Sequence, residues 1–440
     1  MRPSCGCDST GALAAHGVAR ARRLDARPFV QKTPDYDSNV RRGDLTLPLW
    51  VLGALSFATS VARTVEAQGY DTVPLWAAVH AMLDGGPVYT EQGAGDFLYP
   101  PSALVLLLPL GAFDLAWGNR IFFFVDLAAI LVATAMLLEL FGHRWRGLGG
   151  AIALLGLSVA GPALFTLNAG NVNGPILLGL VGMLVAARRG SWLLAGALLG
   201  VTLALKPILA PLLVVLLLYR RWGSALVAVA VPLVLSAPLL LAAPQTRAFF
   251  DTTLPLLLRG QDERIQEVSV SLPSVLERLS FPSALVPVSQ AVVLAITATL
   301  LWRRWRIAPV EPRRLVEVCT IVLVGAFLAS SFAFPHYGLF LLPFAVSATD
   351  PSSPHLHWLT WAGLFCVGSA TSWQLDLLPD GVNELLAERF TLGLVTLLVA
   401  FGLAIRFEER AATRARDQLG SRAPRDPELA LPVARRGALP

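Results

Sequence analysis

Charge is what this chain has least of. Its 440 residues are 15% charged and 55% hydrophobic, with a mean hydropathy of +0.61. A soluble domain is roughly 25% charged, so that class is excluded. Several apolar runs approach the ~20 residues that a helix needs to cross a bilayer, among them residues 121–140, 223–243 and 315–332. They are continuous and lack the alternation of a membrane β-barrel, so the sequence predicts an all-α, polytopic transmembrane bundle.

Cysteine is also scarce, and its positions indicate no metal site. Cys5 and Cys7 lie near the N-terminus without the second Cys pair or His set that zinc would need. Cys319 and Cys366 fall in apolar runs, where a cysteine is usually a small core residue. Residues 71–101 contain no Asp-x-Asp pair that could hold a metal ion. We therefore expect neither a metal nor a cofactor.

The net charge of +5 does not indicate a nucleic-acid partner, because the arginines occur in short groups between apolar runs. This is the positive-inside pattern of membrane topology. It predicts a protein of the lipid bilayer with about twelve spans. The predicted parts are a flexible cytoplasmic N-terminal tail (1–42), a transmembrane domain (43–407) and a flexible cytoplasmic C-terminal tail (408–440). The count requires that residues 99–113, or another short run, enter the membrane without crossing.

This topology places many polar groups on the external side. The first loop, within residues 71–101, carries four acids and no Lys or Arg. Polar groups at membrane depth are costly and usually mark a site, whereas loops in water are polar without any function. The external groups are Asp71, Asp84, Glu91 and Asp96, then Asn168, Asn171 and Asn173, then Lys206, the stretch 259–271 and His336.

Lysine occurs only twice in the chain, at Lys32 and Lys206. Residues 192–219 lie between two cytoplasmic arginine pairs, and about 28 residues are more than one crossing requires. Pro207 interrupts helix continuity. We therefore expect two short helices with Lys206 at their outer turn, where a lysine is not a topology signal.

Four segments in order resemble glycosyltransferase family 87, over roughly residues 45–345. An acid, Asp71, precedes a helix with aromatic and small residues, a Gly-Pro-x-Tyr turn and a Tyr-Pro-Pro sequence. Residues 170–207 are similar to the family's Gly-Gln-x-Asn segment and its Gly-rich run ending in Lys-Pro, and residues 330–343 to its aromatic-His segment. Asn171 replaces the usual Gln, Val172 a frequently polar residue, and VSVS (268–271) a frequent Asn-Gln-Ser. These departures leave the sugar and the acceptor open.

The resemblance implies a C-superfamily membrane glycosyltransferase with its active site on the extracytoplasmic face of the cell membrane. We expect transfer of a hexose, with mannose as the leading candidate, from a polyprenyl-phosphate sugar to a glycolipid or glycan acceptor. The resemblance implies Asp71 as the general base of a single displacement. Asp71 also suits the N-cap of the helix that follows, and the two roles are compatible because a helix start favours an ionised acid.

The remaining candidates are substrate-binding residues. Lys206 would stabilise the leaving phosphate, and His336 would contact that phosphate or a sugar hydroxyl. Three residues would contact sugar or brace the loop: Tyr99, Asn171 and Asn173. Arg264 would bind phosphate or face lipid headgroups.

Two other classes of protein stay open at this point. A transporter or flippase of lipid-linked sugars would also be polytopic with buried polar groups. Inverted repeats would be expected there, and the sequence shows none. A non-catalytic scaffold would not need polar groups collected on one side.

Overall fold

Helices make up the regular structure of the described residues, apart from one isolated backbone bridge between Ala160 and Ser369. The computed structural model describes residues 43–65, 69–89, 97–259, 267–307, 313–347, 358–370 and 379–422. The prediction of an all-α membrane protein is confirmed. The N-terminal tail and the last residues of the C-terminal tail lie outside the described residues.

The α-helices of these residues are numbered in chain order. They are α1 (Gly43–Val65), α2 (Thr72–Leu83), α3 (Pro101–Leu107), α4 (Leu115–Leu140), α5 (Leu148–Val159), α6 (Gly161–Ala169), α7 (Asn173–Arg188), α8 (Trp192–Leu205), α9 (Leu213–Leu218), α10 (Trp222–Ala242), α11 (Leu254–Arg259), α12 (Leu272–Arg278), α13 (Leu285–Arg306), α14 (Arg313–Ala329), α15 (Leu342–Ser347), α16 (Trp358–Gly368), α17 (Asp380–Ala387) and α18 (Arg389–Arg422). Short 3-10 turns cover Leu108–Ala112, Pro207–Leu212, Pro244–Arg247 and Pro335–Leu341, and a π-helical turn covers Phe249–Thr253.

Five of the described helices are long and apolar enough to cross a membrane. They are Leu45–Val65, Leu115–Leu140, Trp222–Ala242, Leu285–Arg306 and Arg389–Arg414. Other apolar helices are shorter, and the prediction of twelve spans stays a prediction. Pro101–Ala112 is about 20 Å long, at ~1.5 Å per residue in its α-helical part and ~2.0 Å in its 3-10 part, less than the ~30 Å of a bilayer core. That length fits a segment that enters without crossing.

Helices α7 and α8 form an antiparallel pair whose two free ends carry candidate residues. A short turn joins them, and the two pack along each other. The approach is close, because a Cβ on Gly179 would lie 2.3 Å from Cγ2 of Thr202. The first residue of α7, Asn173, and the residue after α8, Lys206, therefore lie at the same end of the pair.

A network of buried ion pairs ties α18 to the ends of α13 and α14. Arg304 and Arg313 both pair with Glu317, which is 1% exposed, and both also pair with Glu408. Helix α18 continues to Arg422, past residue 408, where the sequence predicts that the C-terminal tail begins. The helical part of the chain therefore extends beyond the predicted domain boundary.

Glu317→Gln is expected to destabilise the protein by roughly 3 kcal/mol, because breaking one side of a buried ion pair leaves charge uncompensated. Thermal unfolding in detergent micelles measures the loss. Glu409→Gln is the matched control, since Glu409 pairs with Arg303 at 39% exposure and exposed pairs contribute about 0–1 kcal/mol. Equal shifts in the two variants would contradict the prediction.

Candidate active site

Asp71 lies at the start of α2, against the loop that follows α6. Its backbone N–H donates to the carbonyl of Ala169 at 2.9 Å, and Asn171 Nδ2 donates to Asp71 Oδ2 at 3.2 Å. Asp71 occupies the N-cap position of α2, but its side chain makes no capping hydrogen bond to that helix. The carboxylate is partly exposed and points to other partners.

The ionisation of Asp71 depends on its surroundings. Burial raises the pKa of the Asp71 carboxyl above its ordinary value, while the charge of Lys206 and the hydrogen bond from Asn171 lower it in part. The net shift is upward, so Asp71 ionises at a higher pH than an exposed aspartate. A carboxylate with a raised pKa is a stronger base than an ordinary one.

The turn between α6 and α7 is fixed tightly against α2. Gly170 has a left-handed backbone with φ +62°, and a Cβ there would lie 2.3 Å from Thr72 Oγ1. That hydroxyl donates to the Gly170 carbonyl at 2.7 Å. Within the turn, the Asn173 N–H donates to Asn171 Oδ1 at 3.0 Å, and both asparagines are fully buried. The turn therefore presents the amide of Asn171 to Asp71 in one orientation.

Lys206 lies in an extended break between α8 and the next 3-10 turn, with φ −156° and ψ 121°. Its Nζ is 5.4 Å from the ring centroid of Tyr99 and 5.0 Å from that of Tyr337, within cation–π range. The ammonium and Asp71 interact electrostatically, yet no ion pair of 4.0 Å or less joins them among the described residues. The sequence did not single out Tyr337.

His336 is a ring in an aromatic stack. It is parallel to Phe165 at 5.4 Å and 19°, and to Phe334 at 5.3 Å and 14°, while Tyr337 meets it edge-on at 4.8 Å. The side chain is 4% exposed, and neither ring nitrogen has a hydrogen-bond partner in the described part of the chain. Because Tyr337 also contacts Lys206, His336 and Lys206 belong to one cluster.

Sequence reasoning missed Asp126, a fully buried acid within α4. Its Oδ1 accepts a hydrogen bond from the Gly174 N–H at 3.0 Å, and the carboxyl interacts electrostatically with Asp71. Its Oδ2 has no hydrogen-bond partner among the described residues. The sequence did carry a signal, because Asp126 is the one charged residue between Arg120 and Glu139 and ionisable groups at membrane depth usually mark a site.

The structure gathers most of the predicted site residues in one region. These are Asp71, Lys206, His336, Tyr99, Asn171 and Asn173. Arg264 lies outside the described residues, as do Glu91 and Asp96, and Asp84 is exposed at the end of α2. Over the described ranges, no group of three or more His, Cys, Asp or Glu side chains is placed to hold a metal ion.

The described residues thus combine apolar helices long enough to cross a membrane with an acid, a lysine and aromatic rings gathered at one site. Glycosyltransferase family 87 matches residues 97–331, more than half of the chain, and the chain belongs to this family. The expectation from the resemblance is confirmed, and the protein is a membrane glycosyltransferase.

Three relatives share the larger part of the chain. It is 29% identical over 337 residues to the alpha-(1->3)-arabinofuranosyltransferase of Mycobacterium tuberculosis, which covers 74% of this chain and 77% of the relative. Identity to the enzyme of the same name is 26% over 370 residues in Mycolicibacterium smegmatis (82% and 85% covered). Identity to the enzyme of that name in Corynebacterium glutamicum is 27% over 323 residues, which cover 70% of this chain and 74% of the relative. No solved structure matches the chain significantly.

Proposed function

We propose that this glycosyltransferase moves an arabinofuranosyl residue from a polyprenyl-phosphate donor to a hydroxyl of a glycolipid or glycan acceptor. The reaction takes place at the extracytoplasmic face of the cell membrane. The expected mannose is not supported, since the relatives are named arabinofuranosyltransferases. The observation that carries the proposal is that Asp71 and Lys206 interact electrostatically but form no direct ion pair among the described residues. Both are partly exposed, and the rings of Tyr99 and Tyr337 lie beside the lysine.

The chemistry is a single displacement. The acceptor oxygen attacks the anomeric carbon of the donor sugar as the bond between that carbon and the phosphate oxygen breaks. The phosphate leaves with the bonding electron pair, and Asp71 takes the proton of the attacking hydroxyl. Asp71 and Lys206 interact without direct contact, which supports a sugar lying between a base on the acceptor side and a cation on the phosphate side.

Lys206 is suited to the phosphate that leaves. Its ammonium is held near two tyrosine rings, and no carboxylate of the described residues pairs with it directly. Its N–H donors can therefore meet the charge that develops on the leaving oxygen, where a preplaced cation has its largest effect. His336 offers two ring nitrogens for the same phosphate or for a sugar hydroxyl.

The other candidates have supporting roles in this proposal. Asn171 orients the base through its hydrogen bond to Asp71. Asn173 braces the turn through its backbone N–H, and Tyr99 lies beside the lysine. Arg264 is proposed as a further phosphate ligand.

The stereochemistry follows from the mechanism. A single displacement inverts the anomeric carbon, so a product with an α linkage requires a donor of β configuration. The relatives carry the term alpha-(1->3) in their names. We therefore propose a β-configured polyprenyl-phosphate arabinofuranose as the donor.

The test uses purified protein in lipid nanodiscs with a synthetic arabinan acceptor. β-Configured polyprenyl-phosphate arabinofuranose is expected to yield an α-linked product, identified by mass spectrometry and the anomeric NMR signal. Polyprenyl-phosphate mannose is expected to yield none. Transfer from the mannose donor alone would overturn the choice of sugar. Movement of the lipid-linked sugar across proteoliposomes without any transfer would favour the flippase alternative.

A further inference from the structure

We propose that Asp126 is a positioning residue for the general base and acts on Asp71 through the turn at the start of α7. The inference rests on the proposed base role of Asp71 and extends it to a residue in the middle of a membrane span. Asp126 does not touch the reacting atoms in this proposal. It fixes the turn whose Asn171 side chain donates a hydrogen bond to Asp71.

Three hydrogen bonds connect the two acids. Asp126 Oδ1 accepts from the Gly174 N–H at 3.0 Å. The preceding residue, Asn173, donates its N–H to Asn171 Oδ1 at 3.0 Å, and Asn171 Nδ2 donates to Asp71 Oδ2 at 3.2 Å. Because the Asn171 oxygen is occupied, its NH₂ group must face the base. The orientation of the amide therefore depends on where the turn sits.

The first link is a close contact between two helices. A Cβ on Gly174 would lie 2.5 Å from Asp126 Oδ1 and 2.8 Å from the Asp126 Cα. Only a glycine allows α7 to approach α4 so closely at this point. Asp126 is fully buried, so it has no freedom to follow the turn if the hydrogen bond to Gly174 is lost.

The need for an acceptor at this place explains a polar residue in an apolar span. Gly174 is in the first turn of α7, where backbone N–H groups have no partner within the helix. Inside a membrane an unsatisfied N–H costs several kcal/mol. Asp126 supplies the acceptor from a neighbouring helix, and the partial positive charge at a helix start favours an acid there.

Loss of this acceptor has a signature beyond lower activity. The hydrogen bond from Asn171 lowers the pKa of Asp71. If the turn shifts and that bond lengthens, the pKa of Asp71 rises. The acid limb of the profile of kcat/KM against pH, which reports the ionisation of the base in the free enzyme, then moves to higher pH.

The test compares Asp126→Leu, which removes the acceptor, with Asp126→Asn, which keeps a carbonyl oxygen. Asp126→Leu is expected to lower kcat about tenfold or more at a nearly unchanged donor KM. Asp126→Asn is expected to stay within about threefold of wild type. Both variants remove a carboxylate that repels the charge of Asp71, which by itself lowers the pKa of Asp71 equally in the two, so the loss of the acceptor shows as an acid limb at higher pH in Asp126→Leu than in Asp126→Asn. Equal kcat in the two variants, or lower activity of Asp126→Leu with its limb at the same pH as that of Asp126→Asn, overturns the proposal.

A double-mutant cycle separates positioning from general damage. Asn171→Ala alone is expected to move the acid limb in the same direction, and adding Asp126→Leu to it should cause little further loss, because both act on one link. Effects that multiply would overturn the proposal. If Asp126→Leu does not fold, Asp126→Glu displaces the same acid by one methylene and should show a smaller shift of the limb. An unmoved limb in that variant also overturns it.

The failure of this inference can be told from failure of the proposed function. If Asp71→Asn retains transfer, the base role itself is wrong, whatever Asp126 does. Another outcome is that Asp71→Asn loses transfer while both Asp126 variants keep wild-type kinetics and the double-mutant cycle shows independent effects. The base role then stands, and only the positioning role fails.

Discussion

Asp71→Asn is expected to lower kcat by roughly 10²–10⁴-fold, the range of general-base catalysis. Asparagine has nearly the same shape as aspartate but does not accept a proton, so donor binding should change little. Steady-state kinetics in nanodiscs with the arabinofuranose donor measure both constants. Asp84→Asn is the matched control, because Asp84 lies at the other end of α2 and is exposed. Similar rates in the two variants would contradict the base role.

The pH profile provides a second readout of the same residue. Burial raises the pKa of Asp71 above its ordinary value, with Lys206 and Asn171 opposing in part. Asp71 acts as base only when ionised, so kcat/KM falls as pH drops through this pKa, starting at a higher pH than for an exposed aspartate. The residual activity of Asp71→Asn should lack this limb. A limb retained there would belong to another group.

The fold class could be predicted because the membrane leaves few solutions. A bilayer core offers no water to backbone groups, so membrane-spanning segments must be helices or barrel strands. The apolar runs of this chain are continuous and do not alternate, which excludes barrel strands. The extent of the last helix could not be predicted. Glu408 lies in a polar stretch typical of a tail, but Arg304 and Arg313 pair with it. Those partners lie far away in the sequence.

The candidate site could be predicted only in part. Lys206 stands out because a lysine in a long apolar stretch fits neither a span nor a cytoplasmic turn. Asp71 matches both a base and a helix cap, and backbone geometry separates the two. Its φ of −78° and ψ of −23° are helical, whereas a capping residue usually has extended geometry. Asp126 was missed because its meaning depends on contact with Gly174, which only helix packing creates.

Lys206→Met is expected to lower kcat roughly 10²–10³-fold, the loss found when one preplaced stabilising group is removed from an active site. Methionine keeps the unbranched shape and most of the length of the side chain beside the rings of Tyr99 and Tyr337 but has no charge for the leaving phosphate. Lys206→Arg should retain part of the activity, because a guanidinium is charged but planar and larger. The donor KM should change less than kcat, since the charge on the leaving oxygen develops in the transition state.

The same variant should also change the base, and this distinguishes a shared site from two separate ones. Lys206 lowers the pKa of Asp71, so removing its charge lets that pKa rise and moves the acid limb to higher pH. Arg247→Met, which removes an exposed charge from the 3-10 turn Pro244–Arg247, should alter neither kcat nor the limb. A large loss of kcat with an unmoved limb would mean that Lys206 does not act on Asp71. Because a base and a phosphate partner must flank one sugar, the two effects of Lys206→Met should appear together.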